Sequence, residues 1–150
     1  MDRIKAIVTV VWTGITSLLG ALAVPVVLLV LSNIIDYATG VVASKYRKQK
    51  ISSYKGIRGI AKKIGMWLLI CVGAIVDQLI AYACVQVDLQ LPFSFAIACT
   101  VAIWLICNEV ISILENVKDI GVPMPDFLSK AVVNIKSQIE DKADKETEEK

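Results

Sequence analysis

Between Lys45 and Lys63 the chain reads KYRKQKISSYKGIRGIAKK, nineteen residues with eight Lys or Arg and no Asp or Glu. Long apolar runs flank it: Ala6 to Ile35 carries no charged residue, and neither does Leu89 to Asn108. A short basic loop between apolar runs stays on the cytoplasmic side of a membrane, so this stretch sets the topology of everything around it. A basic patch that binds nucleic acid on a soluble protein is the other meaning of such a run. The flanks exclude it. Apolar residues make up 56 % of the chain and charged residues 20 %, with a mean hydropathy of +0.66, and the charges are gathered in blocks rather than spread along helices. A hydrocarbon layer about 30 Å thick takes roughly 20 residues of helix, which these runs supply. The expected fold class is an all-α integral membrane protein.

Three membrane helices are expected, at about residues 24–44, 64–87 and 93–113, joined through a basic cytoplasmic loop at 45–63 and a short turn from Asp88 to Pro92. Straight helix from Ala6 to Ser44 would measure about 58 Å, nearly twice the hydrocarbon thickness. The chain is therefore expected to break near Gly20 and Pro25, leaving an additional helix at about 4–20. Asp2, Lys5, Thr9, Thr13, Thr16 and Gly20 share one face of it, as in a helix lying in the interface or a fourth membrane helix. That choice, and with it the side of the N-terminus, stays open. Ala21-Leu22-Ala23 resembles a cleavage site, but apolar sequence continues through Pro25 to Ile35, so the segment is expected to be retained. Residues 1–113 form the expected membrane domain and 114–150 a cytoplasmic tail. The tail has an amphipathic helix at about 126–140, with its apolar stripe at Leu128, Val132, Ile135 and Ile139. A disordered end, EDKADKETEEK, follows.

Each span contains one carboxylate: Asp36, Asp77 and Glu109. An ionised acid in the middle of a lipid-exposed helix costs about 3 kcal/mol, so these should face protein or water. With no basic partner expected inside the membrane, a single copy is expected to leave them unsatisfied. Many copies turning such faces towards a shared aqueous pore would hydrate them, and polar gluing of one bundle is the plainer alternative. The residues expected to be pore-facing or inter-helix are Asp36, Asp77, Glu109, Ser112 and Asn116. Gly40 and Gly73 should allow close helix approach. Lys45, Arg47, Lys48, Lys50, Lys55, Arg58, Lys62 and Lys63 should meet anionic headgroups, and Gly121, Pro123 and Pro125 should form a rigid turn.

Histidine is absent, no Gly-rich phosphate loop or nucleophile motif appears, and Cys71, Cys84, Cys99 and Cys107 have no zinc-ligand spacing. Neither an enzyme, nor a metal site, nor a cofactor is expected.

Asp36 and Gly40, the basic loop with Ser52-Ser53 and Gly56, Lys62-Lys63 opening the next span, and Asp77 within it form an ordered set. With NEVISILENVKDIGVPMP from Asn108 to Pro125, the set resembles the phage-lysis and toxin-secretion holin family. Glu109, Ser112, Glu115-Asn116, Gly121, Pro123 and Pro125 stand where that family has its glutamate, Ser-Ile-Leu run and Gly-x-Pro-x-Pro. The resemblance covers about Val24 to Lys130, and the first twenty residues exceed what it needs. It implies a small protein of the bacterial cytoplasmic membrane that associates with itself and opens lesions. A cell-wall hydrolase (endolysin) or a large toxin would cross as cargo without required direct binding, and no nucleic acid is involved. Two other classes stay open: an ion or proton channel or transporter subunit, and a non-conducting membrane accessory protein.

Overall fold

The computed structural model describes residues 2–48, 53–89 and 95–148. It is built from helices, with no strand among the described residues. Helix α1 covers Asp2–Leu19, and a single 3-10 turn, Gly20–Leu22, separates it from α2, Ala23–Tyr46. Gly20 supplies the break through a φ of +51°, a conformation only glycine adopts freely. Pro25 does not break the chain. It occupies the first turn of α2, where its missing N–H costs no intrahelical bond.

Helix α3 runs from Ser53 to Gln86, 34 residues or about 51 Å. The expected loop over 45–63 is therefore corrected: α2 continues to Tyr46 and α3 begins at Ser53, leaving only the residues between them as a connection. Glycine is a poor helix former, and Gly56 and Gly59 both fall inside α3, yet each costs a helix only about 1 kcal/mol relative to Ala. Continuity with a long apolar helix, and the spacing of Ile57, Ile60 and Ile64, outweigh that cost.

Helix α4, Ala96–Ile120, extends a further seven residues past the expected end at Ile113. Gly121 stops it with a φ of +94°, the left-handed cap that ends many helices. Its N-cap residue Phe95 has a φ of +60° and contributes no side-chain cap. The expected start at Phe93, with Ser94 and Pro92 beside it, lies outside the described residues.

Helix α5, Asp126–Glu148, is longer than the expected 126–140 and takes in most of the segment expected to be disordered. Glu and Lys dominate that segment and are good helix formers. Residues 121–125 turn α5 back along α4, where the indole Nε1 of Trp104 donates to Glu140 Oε1 at 2.8 Å. The Lys136 ammonium stands 5.4 Å from the same ring's centre. Of the expected apolar stripe, Val132 and Ile139 are half-buried while Leu128 and Ile135 are exposed.

Helix α4 is the hub, packed against α2 most extensively, then α3, then α5, whereas α1 packs mainly against α2 and the turn before it. Leu29, Met66, Ile70, Ala102 and Leu105 form the buried cluster where α2, α3 and α4 meet. Outside it, apolar side chains such as Leu28, Leu31, Ile34, Leu68, Val72, Leu79 and Ile103 are exposed. So much contiguous apolar surface is unsuited to water. Three helices are long and apolar enough to cross a membrane, within Gly20–Tyr46, Gly56–Gln86 and Ala96–Ile120. The protein is a multi-pass membrane protein.

Close approach of α3 to α4 depends on Gly73. A β-carbon there would lie 3.0 Å from Ala98 Cα, whereas one on Gly65 meets nothing within 4 Å. Gly73→Leu is expected to lower stability by about 1–3 kcal/mol through overpacking. Gly65→Leu should stay within about 0.5 kcal/mol of the parent. Unfolding of the purified chain in detergent, followed by circular dichroism, measures both.

Candidate functional site

Residues 63, 66, 70, 73 and 77 recur at alternating intervals of three and four, so Lys63 stands on the same face of α3 as Met66, Ile70, Gly73 and Asp77. Its neighbour Lys62 is turned away by about 100°. Lys63 therefore enters the bundle. Its Nζ donates to Asp36 Oδ2 at 2.9 Å and Asn33 Oδ1 at 3.2 Å, both on α2. The same ammonium pairs with Glu109 on α4. The Lys63 and Asp36 side chains are 19 % and 18 % exposed, and that of Glu109 only 4 %.

The polar chain continues towards the ends of α2 and α4. Asn116 Nδ2 donates to Asp36 Oδ1 at 3.2 Å and Thr39 Oγ1 at 3.3 Å. Arg47 Nη2 donates to Asn116 Oδ1 at 3.1 Å and pairs with Asp119. Gly40 faces this network, and a β-carbon there would meet Asn116 Nδ2 at 3.5 Å, an ordinary contact distance. Two cations thus face three carboxylates along one seam. Arg47 and Asp119 lie at the exposed end of the seam, whereas the Lys63 pairs are largely removed from water. Such buried pairs add little net stability, but removing one member leaves an uncompensated charge at high cost.

The expectation that one copy leaves its acids unsatisfied is corrected here, because Lys63, assigned to the membrane surface, is the missing partner. Among the described residues no buried side-chain nitrogen or oxygen lacks a hydrogen bond.

Asp77 belongs to a different arrangement. Its Oδ1 accepts from Ile97 N–H at 3.0 Å and its Oδ2 from Ala98 N–H at 2.8 Å. These amides are among the first of α4, which have no partner inside their own helix. A carboxylate there satisfies two of them and suits the positive end of the helix dipole. From Lys63 to Asp77 is about 21 Å along α3.

Ser112 is on neither arrangement. With Asn108, Glu115 and Trp104 it lines a groove between α4 and α3, where Lys62, Met66 and Leu69 form the other wall and Lys136 of α5 the rim. Among the basic residues, Lys45, Lys48, Arg58 and Lys62 are exposed, whereas Arg47 and Lys63 are engaged by acids. Lys50 and the side chain of Lys55 lie outside the described residues. Gly121, Pro123 and Pro125 lie in the turn between α4 and α5. Sequence reasoning missed Asn33, Arg47 and Asp119 as seam members. The signal for Lys63 was its register with Met66, Ile70 and Gly73.

The sequence profile of the bacteriophage holin family matches residues 13–137. Among curated relatives, the uncharacterized protein CPE0383 of Clostridium perfringens is 32 % identical over 90 % of this chain and 92 % of its own length. The uncharacterized 14.9 kDa protein in the nagH 3'region of Clostridium perfringens is 30 % identical, covering 84 % and 87 %. The uncharacterized protein BH0965 of Halalkalibacterium halodurans is 30 % identical, covering 83 % and 80 %. No solved structure matches the chain.

Lys63→Met is expected to destabilise the bundle by about 3–5 kcal/mol, since it strands two carboxylates. Adding Asp36→Asn and Glu109→Gln should restore much of that loss, as unfolding in detergent would show. Asp77→Ala should cost about 1 kcal/mol through loss of the cap, and Asp77→Asn less.

Proposed function

The chain belongs to the bacteriophage holin family, and from that premise we propose that copies of it assemble in a bacterial cytoplasmic membrane into a lesion. Through it a cell-wall hydrolase or a large toxin passes without having to bind. The observation that carries this reading is the groove between α3 and α4. It gathers Asn108, Ser112, Glu115 and Lys62 on two helices whose outer surfaces are largely apolar. Trp104, about 24 Å along α4 from Ile120, holds Lys136 and Glu140 of the tail against it. Charges at that depth are expensive against lipid, so this side of the helix pair is suited to water. A ring of copies turning it inward would hydrate it and leave the apolar flanks to lipid.

In this reading Ser112 is lumen-facing with Asn108 and Glu115. Asp36, Glu109, Asn116 and Asp77 act between helices of one copy. The positive-inside rule puts the connection between α2 and α3 and the C-terminus in the cytoplasm. Lys45, Lys48, Arg58 and Lys62 then meet anionic headgroups at about 1 kcal/mol each.

The test is expression in bacteria carrying a folded cytosolic reporter enzyme, with membrane potential followed in parallel. Abrupt release of the enzyme after a delay is the expected result. Loss of potential with the enzyme retained would instead identify an ion channel, and no change in either an accessory protein. Asn108→Leu with Ser112→Leu should leave the amount of protein in the membrane unchanged and reduce enzyme release at least tenfold.

A further inference from the structure

With Asp36, Asp77 and Glu109 satisfied inside one copy, polar groups left unpaired on a spanning helix mark where another molecule must sit. Gln78 is such a group. It follows Asp77, but points about 100° away from it and is exposed on α3. Whereas Asp77 binds two amides of α4, the Gln78 side chain has no hydrogen bond among the described residues. It lies about 22 Å beyond Lys63 and about 12 Å before Gln86, within the span Gly56–Gln86. An amide unpaired within the hydrocarbon part of such a span is strongly disfavoured.

The surface around it is shaped for a helix. Ala74, Ile75, Gln78 and Leu79 line a shallow apolar hollow, and Cys71, two turns earlier on the same face, is exposed. This flank of α3 is opposite the one that forms the groove with α4, where Lys62 and Leu69 lie.

We infer that the Gln78 face of α3 is the contact between two copies of this chain, with the two Gln78 amides hydrogen-bonded to each other. Copies inserted by one charge rule share an orientation. A two-fold axis along the membrane normal then sets each residue opposite its own counterpart at equal depth. An amide carries both donor and acceptor, so Gln78 is complementary to itself, as a carboxylate or an ammonium is not. A second copy meets the need without any further partner. The inference rests on the assembly reading and names one surface on which it is built.

The native thiol makes it testable. A full chain with Cys84, Cys99 and Cys107 replaced by Ala keeps Cys71 as its sole cysteine. Treatment of bacterial membranes with copper phenanthroline and oxygen should oxidise paired Cys71 thiols and yield a disulfide-linked dimer. Gln78→Leu should lower the dimer yield at least fivefold at equal membrane levels, while Gln78→Asn should retain more than half. No Cys71 dimer, in membranes where an amine-reactive cross-linker still captures oligomers, overturns this surface and leaves assembly standing. Absence of oligomers with both reagents overturns assembly as well. An undiminished dimer in Gln78→Leu overturns the amide pairing.

Discussion

Lys63, held between Asp36 and Glu109, is the contact on which the arrangement of the three spanning helices depends. Apolar burial does little to choose one helix packing over another in a bilayer, since lipid tails are as apolar as leucine. The cluster of Leu29, Met66, Ile70, Ala102 and Leu105 therefore contributes close packing rather than a driving force. A charge is different. Once Asp36 and Glu109 lie on helices inside hydrocarbon, configurations that leave them facing lipid are costly, and among the described residues Lys63 is the cation of α3 that points inward. The ammonium of Lys63 reaches α2 and α4 at once, which fixes the depth of α3 relative to both.

One point of attachment would leave α3 free to pivot. The second is Asp77 on the opening amides of α4, with Gly73 against Ala98 beside it. The two lie about 21 Å apart along one helix, so together they set tilt as well as depth. Helix α3, at about 51 Å, is far longer than the hydrocarbon is thick, and tilting alone rarely absorbs so much. Its first turns carry Arg58 and Lys62 beside Ile57 and Ile60, all exposed, a composition suited to the headgroup layer.

Much of this was legible in the sequence. The apolar runs gave three spans, Gly20 marked the break before α2, and the Gly-Pro segment marked the turn after α4. Other features were hidden because a residue's type was read without its register. Lys63 closes a run of basic residues, which as a run means a cytoplasmic surface, yet the interval to Met66, Ile70 and Gly73 turns this one inward. Asp77 reads as an acid stranded in a span because the amides it binds belong to another helix, beginning where Phe95 offers no side-chain cap. Gly56 and Gly59 read as breakers, although continuity with an apolar helix tolerates both. The return of α5 along α4 had no local signal, since tertiary contact with Trp104 decides it.

The tail brings these constraints together. Docked on α4 it seats Lys136 and Glu140 against Trp104, a depth at which lipid would reject both side chains. The same contact is acceptable when that flank of α4 is wet. Helix α5 therefore cannot keep this position beside lipid without a cost that laying its apolar stripe on the membrane surface avoids. Occupation of the groove and hydration of the groove go together. In the proposed function, a single copy surrounded by lipid and an assembly around water would differ in where α5 is stable, while the Lys63 and Asp77 attachments, internal to each copy, would not need to change. Assembly as proposed would then require only rigid-body association of whole bundles and movement of one tail about Gly121.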